Sequence, residues 1–372
     1  MIYFDNSATT KNKPREVIDA MNSYLLDVGV SPGRGSYSLG IEASRMLYSS
    51  RVTVGNHFGL SRPDRVLFTK NSTEAINLLF NGILLEGDHV IITCYEHNAV
   101  LRPLQTMCNN GIIELTIINR EDLESSTDCI IKKYVRSNTR LFASTLASNL
   151  TGRVIFNKSW TKELKKHGVI TFVDASQGAG KISVNLKDDG IDFLAFTGHK
   201  DLYGVPGVGG LCCESQISIK PLIQGGTGIH GDNYVNPDVF PEGYEAGTLN
   251  MPGIWALKTG IEYVESHFNE IKEKENSLME YLMSKLNCID KINIYDKDYN
   301  RVPTCCFTID GQPTDQLVYK LDQKGICVRG GIHCAILAHE ALGTVDTGAV
   351  RISLNYTNTI EEIDQLVDIL MN

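Results

Sequence analysis

Between residues 65 and 198 the chain repeats one pattern, a short apolar run with little alternation followed by an interval long enough for a helix. The runs lie at 65–69, 88–94, 112–118, 140–146, 169–175 and 193–198. Strands that read as continuously apolar are covered on both faces, and helix-sized intervals supply right-handed crossovers. The pattern therefore predicts a mostly parallel sheet. After the first run, Ile76, Leu79, Phe80 and Ile83 recur at three- and four-residue steps and share one helix face. Leu211-Cys212-Cys213 adds a further strand to give an expected seven. The glycine-rich stretch before it, Tyr203-Gly204-Val205-Pro206-Gly207-Val208-Gly209-Gly210, runs into that strand and opens no helix. It lacks the strand–turn–helix context of a dinucleotide loop.

The period changes after Met251-Pro252-Gly253. Leu257, Ile261, Val264, Phe268 and Ile271 define a long amphipathic helix, strand-like runs follow at 302–309 and 325–329, and Ile363, Leu366, Val367 and Leu370 mark a last helix. These features predict an α/β large domain over 1–254 and a smaller α+β domain over 255–372, with the extreme N-terminal segment able to pack on the latter.

The 372 residues supply ample core material, with 42% hydrophobic and 21% charged positions. A net charge of −9 with scattered basic residues argues against a nucleic-acid surface. The apolar runs fall short of the roughly 18 residues of a membrane span, and the N-terminus lacks the pattern of an export signal, so a cytoplasmic protein is expected. The ten cysteines form no Cys-x-x-Cys pair. Cys212-Cys213 and Cys305-Cys306 lie in strand-like runs where neighbours face opposite ways, so no metal site is expected. Most of these thiols read as small buried hydrophobes in a reducing compartment.

Polar clusters end the apolar runs, the edge where open α/β sheets bind ligands. Asn71-Ser72-Thr73-Glu74 places Ser72 or Thr73 to cap a helix whose free N–H groups suit an anion. His97 follows a strand in Glu96-His97-Asn98, and a histidine there can stack on an aromatic ligand. Asn149, and Asp174 with Gln177, end two more strands. The run into Thr197-Gly198-His199-Lys200 delivers a lysine to the same edge, where desolvation lowers an amine's pKa. Such a lysine forms an imine with a carbonyl, and an aspartate behind it holds a pyridine nitrogen protonated. Downstream, Arg329-Gly330-Gly331-Ile332-His333-Cys334 sets a cysteine after two basic groups that favour its thiolate.

Ser72-Thr73-Glu74, Glu96-His97, Ser148-Asn149, Asp174-x-x-Gln177, Thr197-x-His199-Lys200, Glu245-Ala246-Gly247-Thr248 and Arg329-x-Gly331-x-His333-Cys334 together resemble the cysteine desulfurases. These belong to the class V aminotransferase superfamily, with the pyridoxal phosphate (PLP) fold type I. The likeness runs from Asp5-Asn6-Ser7-Ala8-Thr9-Thr10 to the last helix. It implies that Lys200 carries the PLP cofactor and moves the substrate α-proton, with Asp174 on the pyridine nitrogen, Gln177 on the ring oxygen and His97 stacked on the ring. It implies that Asn149 hydrogen-bonds cofactor or substrate, and that Ser72, Thr73, Thr197 and His199 hold the phosphate. Thr248 reaches the phosphate of the opposite subunit, so a homodimer is implied. It implies that Arg351 binds the substrate carboxylate, with Arg329 beside it.

The resemblance further implies that Cys334 takes sulfur from L-cysteine as a persulfide, that L-alanine leaves, and that a thiol acceptor, protein or small molecule, collects the sulfur. Two positions depart from the family's pattern. Tyr37 stands where related chains often have histidine, and Ile336 where many have proline, which is expected to loosen the cysteine loop. A selenocysteine lyase or other PLP β-lyase would depend less on Cys334. An aminotransferase would give that thiol no task, and a non-catalytic sulfur carrier or scaffold would need neither Lys200, Asp174 nor Arg351.

Overall fold

The computed structural model describes residues 1–33 and 37–371. Part of the 33–37 segment that leads to Tyr37 thus lies outside the described residues, whereas Tyr37 itself is exposed and immediately precedes a helix.

The chain opens with strand β1 (Ile2–Tyr3) and helices α1 (Arg15–Ser23) and α2 (Ser38–His57). An alternating series follows: β2 (Val66–Thr69), α3 (Ser72–Ile83), β3 (Asp88–Thr93), α4 (Asn98–Asn109), β4 (Ile113–Ile118), α5 (Thr127–Tyr134) and β5 (Thr139–Thr145). It continues through α6 (Lys158–Lys166), β6 (Ile170–Asp174), α7 (Leu186–Asp189), β7 (Phe193–Thr197) and β8 (Gly209–Cys213). The last part holds α8 (Met251–Leu286), β9 (Ile292–Ile294), β10 (Thr304–Ile309), α9 (Thr314–Asp322), β11 (Ile326–Cys327) and β12 (Arg329–Gly331). Helix α10 (Ile336–Leu342), β13 (Ala349–Ser353) and α11 (Ile360–Met371) close the chain.

Seven strands form the central sheet in the order β2-β8-β7-β6-β5-β3-β4. Only β8 runs against its neighbours, pairing antiparallel with both β2 and β7. The carboxyl ends of β2, β3, β5, β6 and β7 therefore share one edge, the expected ligand edge. The reason β8 carries two glycines is steric. A Cβ on Gly209 would stand 2.8 Å from the Asn71 carbonyl carbon and 2.6 Å from the Phe196 oxygen. The bare backbone lets the start of α3 rest against the end of β7.

The smaller four-stranded sheet has the order β12-β13-β10-β9, and its strands are antiparallel. The long helix α8 joins the two parts. Ile254, Leu257 and Ile261 pack in the cluster that covers one face of the central sheet, whereas Leu278, Met279, Leu282 and Leu286 pack with β10, β13 and α11. The 254/255 boundary falls inside this helix, because a continuous apolar stripe can change partners without a break. Ile2 and Phe4 lie in the C-terminal cluster, and β1 pairs in parallel with β11. The predicted strand at 325–329 is two short strands, β11 and β12, that join different sheets.

Candidate active site

Strand β6 delivers Asp174, 2% exposed, to the ligand edge. Its Oδ1 accepts the Ser176 amide at 2.9 Å and the Ser176 hydroxyl at 2.6 Å, which leaves Oδ2 for another donor. Glu96, wholly buried after β3, is pushed up to about 8, first by burial and further by the Asp174 charge. It is therefore mostly protonated near neutral pH, and its Oε1 accepts the Thr93 hydroxyl and the Thr145 amide. One carboxylate and one carboxylic acid sit at this edge.

His97 caps α4: its Nδ1 accepts the Ala99 amide at 3.0 Å, which places the remaining ring proton on Nε2. Burial lowers the pKa of His97, opposed by Asp174 and aided by Lys200, so the ring is neutral and apolar enough to lie against another ring. Lys200 is partly buried at the end of the β7 run. Burial brings its amine down to about 8, against the pull of Asp174. An amine at about 8 has roughly a tenth of its molecules neutral at pH 7, a far larger share than an ordinary lysine near 10.4 offers.

Thr197 hydroxyl is buried and has no partner among the described residues, next to the start of α3. A helix N-terminus and an unpaired hydroxyl, on the ends of the two strands that flank β8, fit a phosphate. The capping expectation needs correction: Asn71, not Ser72 or Thr73, is the N-cap, and its Oδ1 accepts the Glu74 amide at 3.0 Å. Asparagine caps as well as serine does, and its position one residue earlier leaves Ser72 and Thr73 in the first turn. His199 shares a 3.0 Å hydrogen bond with Thr9, and burial lowers it to about 4. Gln177 donates through Nε2 to the Ser7 carbonyl at 2.8 Å, so its amide also ties the N-terminal segment to the site.

Arg351 on β13 is 3% exposed. Its Nη1 donates to the Asn149 carbonyl at 2.9 Å and its Nη2 to Asp5 Oδ1 at 2.6 Å, while its Nε is buried without a partner. Asn149 in turn donates through Nδ2 to the His333 carbonyl at 2.7 Å, and its Oδ1 is unpartnered. The Cys334 carbonyl accepts the Asn98 amide at 2.8 Å. Two consecutive carbonyls of the cysteine loop are thus fastened to the ends of β3 and β5. His333 and Cys334 both take left-handed backbone, at φ 55 and 56, which costs energy for residues with a Cβ. The turn leaves Cys334 exposed.

His333 does not act as the cation expected beside the thiol. Its ring turns inward, parallel to His339 with centroids 5.9 Å apart, and burial with the nearby Arg351 charge brings it down to about 3. The extended sequence view could not show this, because a left-handed turn reverses where the side chain goes. Arg329 is half exposed and bonded to Asp5. Ile336, expected to loosen the loop, opens α10 and packs against the central core. Thr248 is exposed on a cavity of 240 Å³ that also borders Lys70 and Glu74. The adjoining Glu245 is held by a buried bidentate pair with Arg51. The sequence reading missed roles for Asp5 and Glu96, although both stood inside quoted motifs. An acid that is buried and paired cannot be told from a solvated one without its partners.

The neutral, buried His333 has a consequence in acid. An unfolded histidine takes up a proton near 6.5, and the folded one only near 3. Between these values the unfolded state binds more protons, so stability falls as pH is lowered from about 6.5. Urea titrations of the wild type should lose about 2 kcal/mol from this residue between pH 6.5 and 5, and His333→Gln should flatten the slope. Parallel slopes for the two proteins would show that His333 takes up its proton in the folded state.

The aminotransferase class-V family model matches residues 2–366. A protein of Methanothermobacter thermautotrophicus named a probable cysteine desulfurase is 33% identical, over 99% of this chain and 94% of its own length. The cysteine desulfurase of Yersinia pestis (strain Pestoides F) is 30% identical, over 99% of this chain and 92% of its own. Among solved structures, the apo cysteine desulfurase of Thermococcus onnurineus NA1 superposes with a TM-score of 0.90 at 30% identity, covering 100% of this chain and 94% of that one.

Proposed function

The chain belongs to the class-V aminotransferase family and, within it, to the cysteine desulfurases, and from that premise we propose that it converts L-cysteine to L-alanine while passing the sulfur through Cys334. The observation that carries this reading is the junction of two devices. A lysine with a lowered pKa stands before a buried aspartate, and an exposed cysteine is fastened by Asn98 and Asn149 to the same sheet edge.

The family is generally PLP-dependent, and the residues present fit that group. The start of α3 with Thr197 suits its phosphate, Asp174 its ring nitrogen and His97 its ring face. When bound, PLP supplies an electron-withdrawing ring that stabilises negative charge at the substrate Cα. The chain's own groups do the remaining work. Lys200 Nζ holds the cofactor and accepts the α-proton, and Arg351 holds the carboxylate. The Cys334 thiolate attacks the substrate sulfur: the Cβ–S bond breaks with its electron pair left on carbon, a new S–S bond forms on Cys334, and protonation at Cβ followed by return of the α-proton from Lys200 to Cα gives alanine. A thiol acceptor then removes the outer sulfur.

Thr248, exposed on the cavity that borders Lys70 and Glu74, suits a homodimer in which it serves the opposite subunit's phosphate. Among the described residues no helix is long and apolar enough to cross a membrane. All ten cysteines are free, which suits a reducing cytoplasm. The test is to supply the PLP-loaded protein with L-cysteine and a thiol reductant. Alanine and sulfide should appear in equal amounts. A keto acid in place of alanine would instead identify an aminotransferase.

A further inference from the structure

Arg329 and Arg351 stand directly opposite each other across the antiparallel pair β12–β13. Two guanidinium groups in that register repel each other unless an anion separates them. Asp5 is that anion. Its Oδ1 accepts Arg351 Nη2 at 2.6 Å, and its Oδ2 accepts Arg329 Nε at 3.1 Å. The main chain sets its place: Asp5 bridges to Ser353, whose amide donates to the Phe4 carbonyl at 2.8 Å. The acid is therefore held between the arginines rather than drawn there by a flexible stem.

The two arginines differ in what they have left. Arg351 is 3% exposed, with Nη1 on the Asn149 carbonyl, Nη2 on Asp5 and a buried Nε that has no partner. That Nε is an open donor for a carboxylate. Arg329 has a half-exposed side chain, with its Nε and one terminal nitrogen taken by Asp5. Two cations and one anion leave the group a single net positive charge, enough for one carboxylate. Without Asp5 the outer guanidinium would be a second anchor, free to take another negative group on the same ligand.

We propose that Asp5 is a specificity-determining residue that neutralises Arg329, so that the site favours amino acids with one carboxylate and an uncharged β-substituent, such as a thiol, over those with a second fixed negative charge. This rests on Arg351 as the carboxylate-binding residue. Asp5 acts through the arginines and touches no reacting atom.

The experiment measures dissociation constants of L-alanine and L-aspartate for the PLP-loaded protein by calorimetry at pH 7.5. Asp5→Asn keeps the side chain's size and removes its charge. It should shift the ratio of the two constants toward aspartate by about tenfold. Adding Arg329→Gln to that variant should return the ratio close to the wild-type value. Arg329→Gln alone, at the exposed position where folding is least at risk, should move the ratio by about threefold the other way. A purely structural role for Asp5 would weaken both ligands alike, and an unmoved ratio in both single variants overturns the proposal. Failure of the underlying reading has a separate signature: Arg351→Gln would then leave the binding of both amino acids unchanged.

Discussion

Replacing Lys200 by alanine stops alanine production from L-cysteine, with a loss of about ten-thousand-fold or more, while the folded protein remains. The size follows from removing two tasks at once. Lys200 is the covalent tether for the cofactor carbonyl and the base at the substrate α-carbon, and a positioned base alone contributes about a hundred- to ten-thousand-fold. The environment explains why this lysine, of all the chain's lysines, suits both. Lys181 is also buried, but it lies between Asp201 and Glu275 and its pKa is raised overall. Lys13 is likewise lowered to about 8, yet its Nζ donates to the His199 carbonyl at 2.6 Å. Lys200 alone among these combines a lowered pKa with the charge of Asp174 acting on it. Borohydride reduction of the loaded wild type followed by peptide mapping should tag Lys200. A tag on Lys13, or activity surviving in Lys200→Ala, would end this assignment.

Cys334→Ala should abolish the protein-bound persulfide and lower sulfide release by more than about a hundredfold, while the visible spectrum of the bound cofactor stays as in the wild type. A displaced nucleophile can already cost about a hundredfold, so a missing one costs more. Stability should change little, because the side chain is exposed and the loop is held by main-chain carbonyls at His333 and Cys334. Mass spectrometry of the protein after L-cysteine, without reductant, reads the added sulfur directly. The other cysteines report on specificity. Burial pushes Cys94 up to about 12, and the Cys212, Cys213, Cys305 and Cys306 thiols are also raised, which keeps them from competing. A persulfide on any of these, or sulfide release unchanged in Cys334→Ala, would remove Cys334 from the pathway.

Much of the frame was legible from local pattern. Continuous apolar runs gave away the parallel strands because burial on both faces leaves no polar alternation. Chain order then placed Asp174, Thr197 and Lys200 at strand ends, where any open α/β sheet gathers its ligand groups. The cap of α3 was misplaced by one residue, since Asn71, Ser72 and Thr73 are all competent caps and only geometry selects among them. Likewise β13, with Arg351 at its centre, did not declare itself as a strand.

The sequence by itself determined which chemistry was available: an amine, an acid, a cysteine and two arginines, spaced along elements whose periodicity is local. Tertiary structure alone decided their states and pairings. Asp5 meets Arg351 across 346 positions of chain, His333 turns inward as a neutral ring, and Glu96 keeps its proton. Periodicity is a property of neighbours in the chain, whereas ionisation and ion pairing depend on neighbours in space and on the water that packing removes.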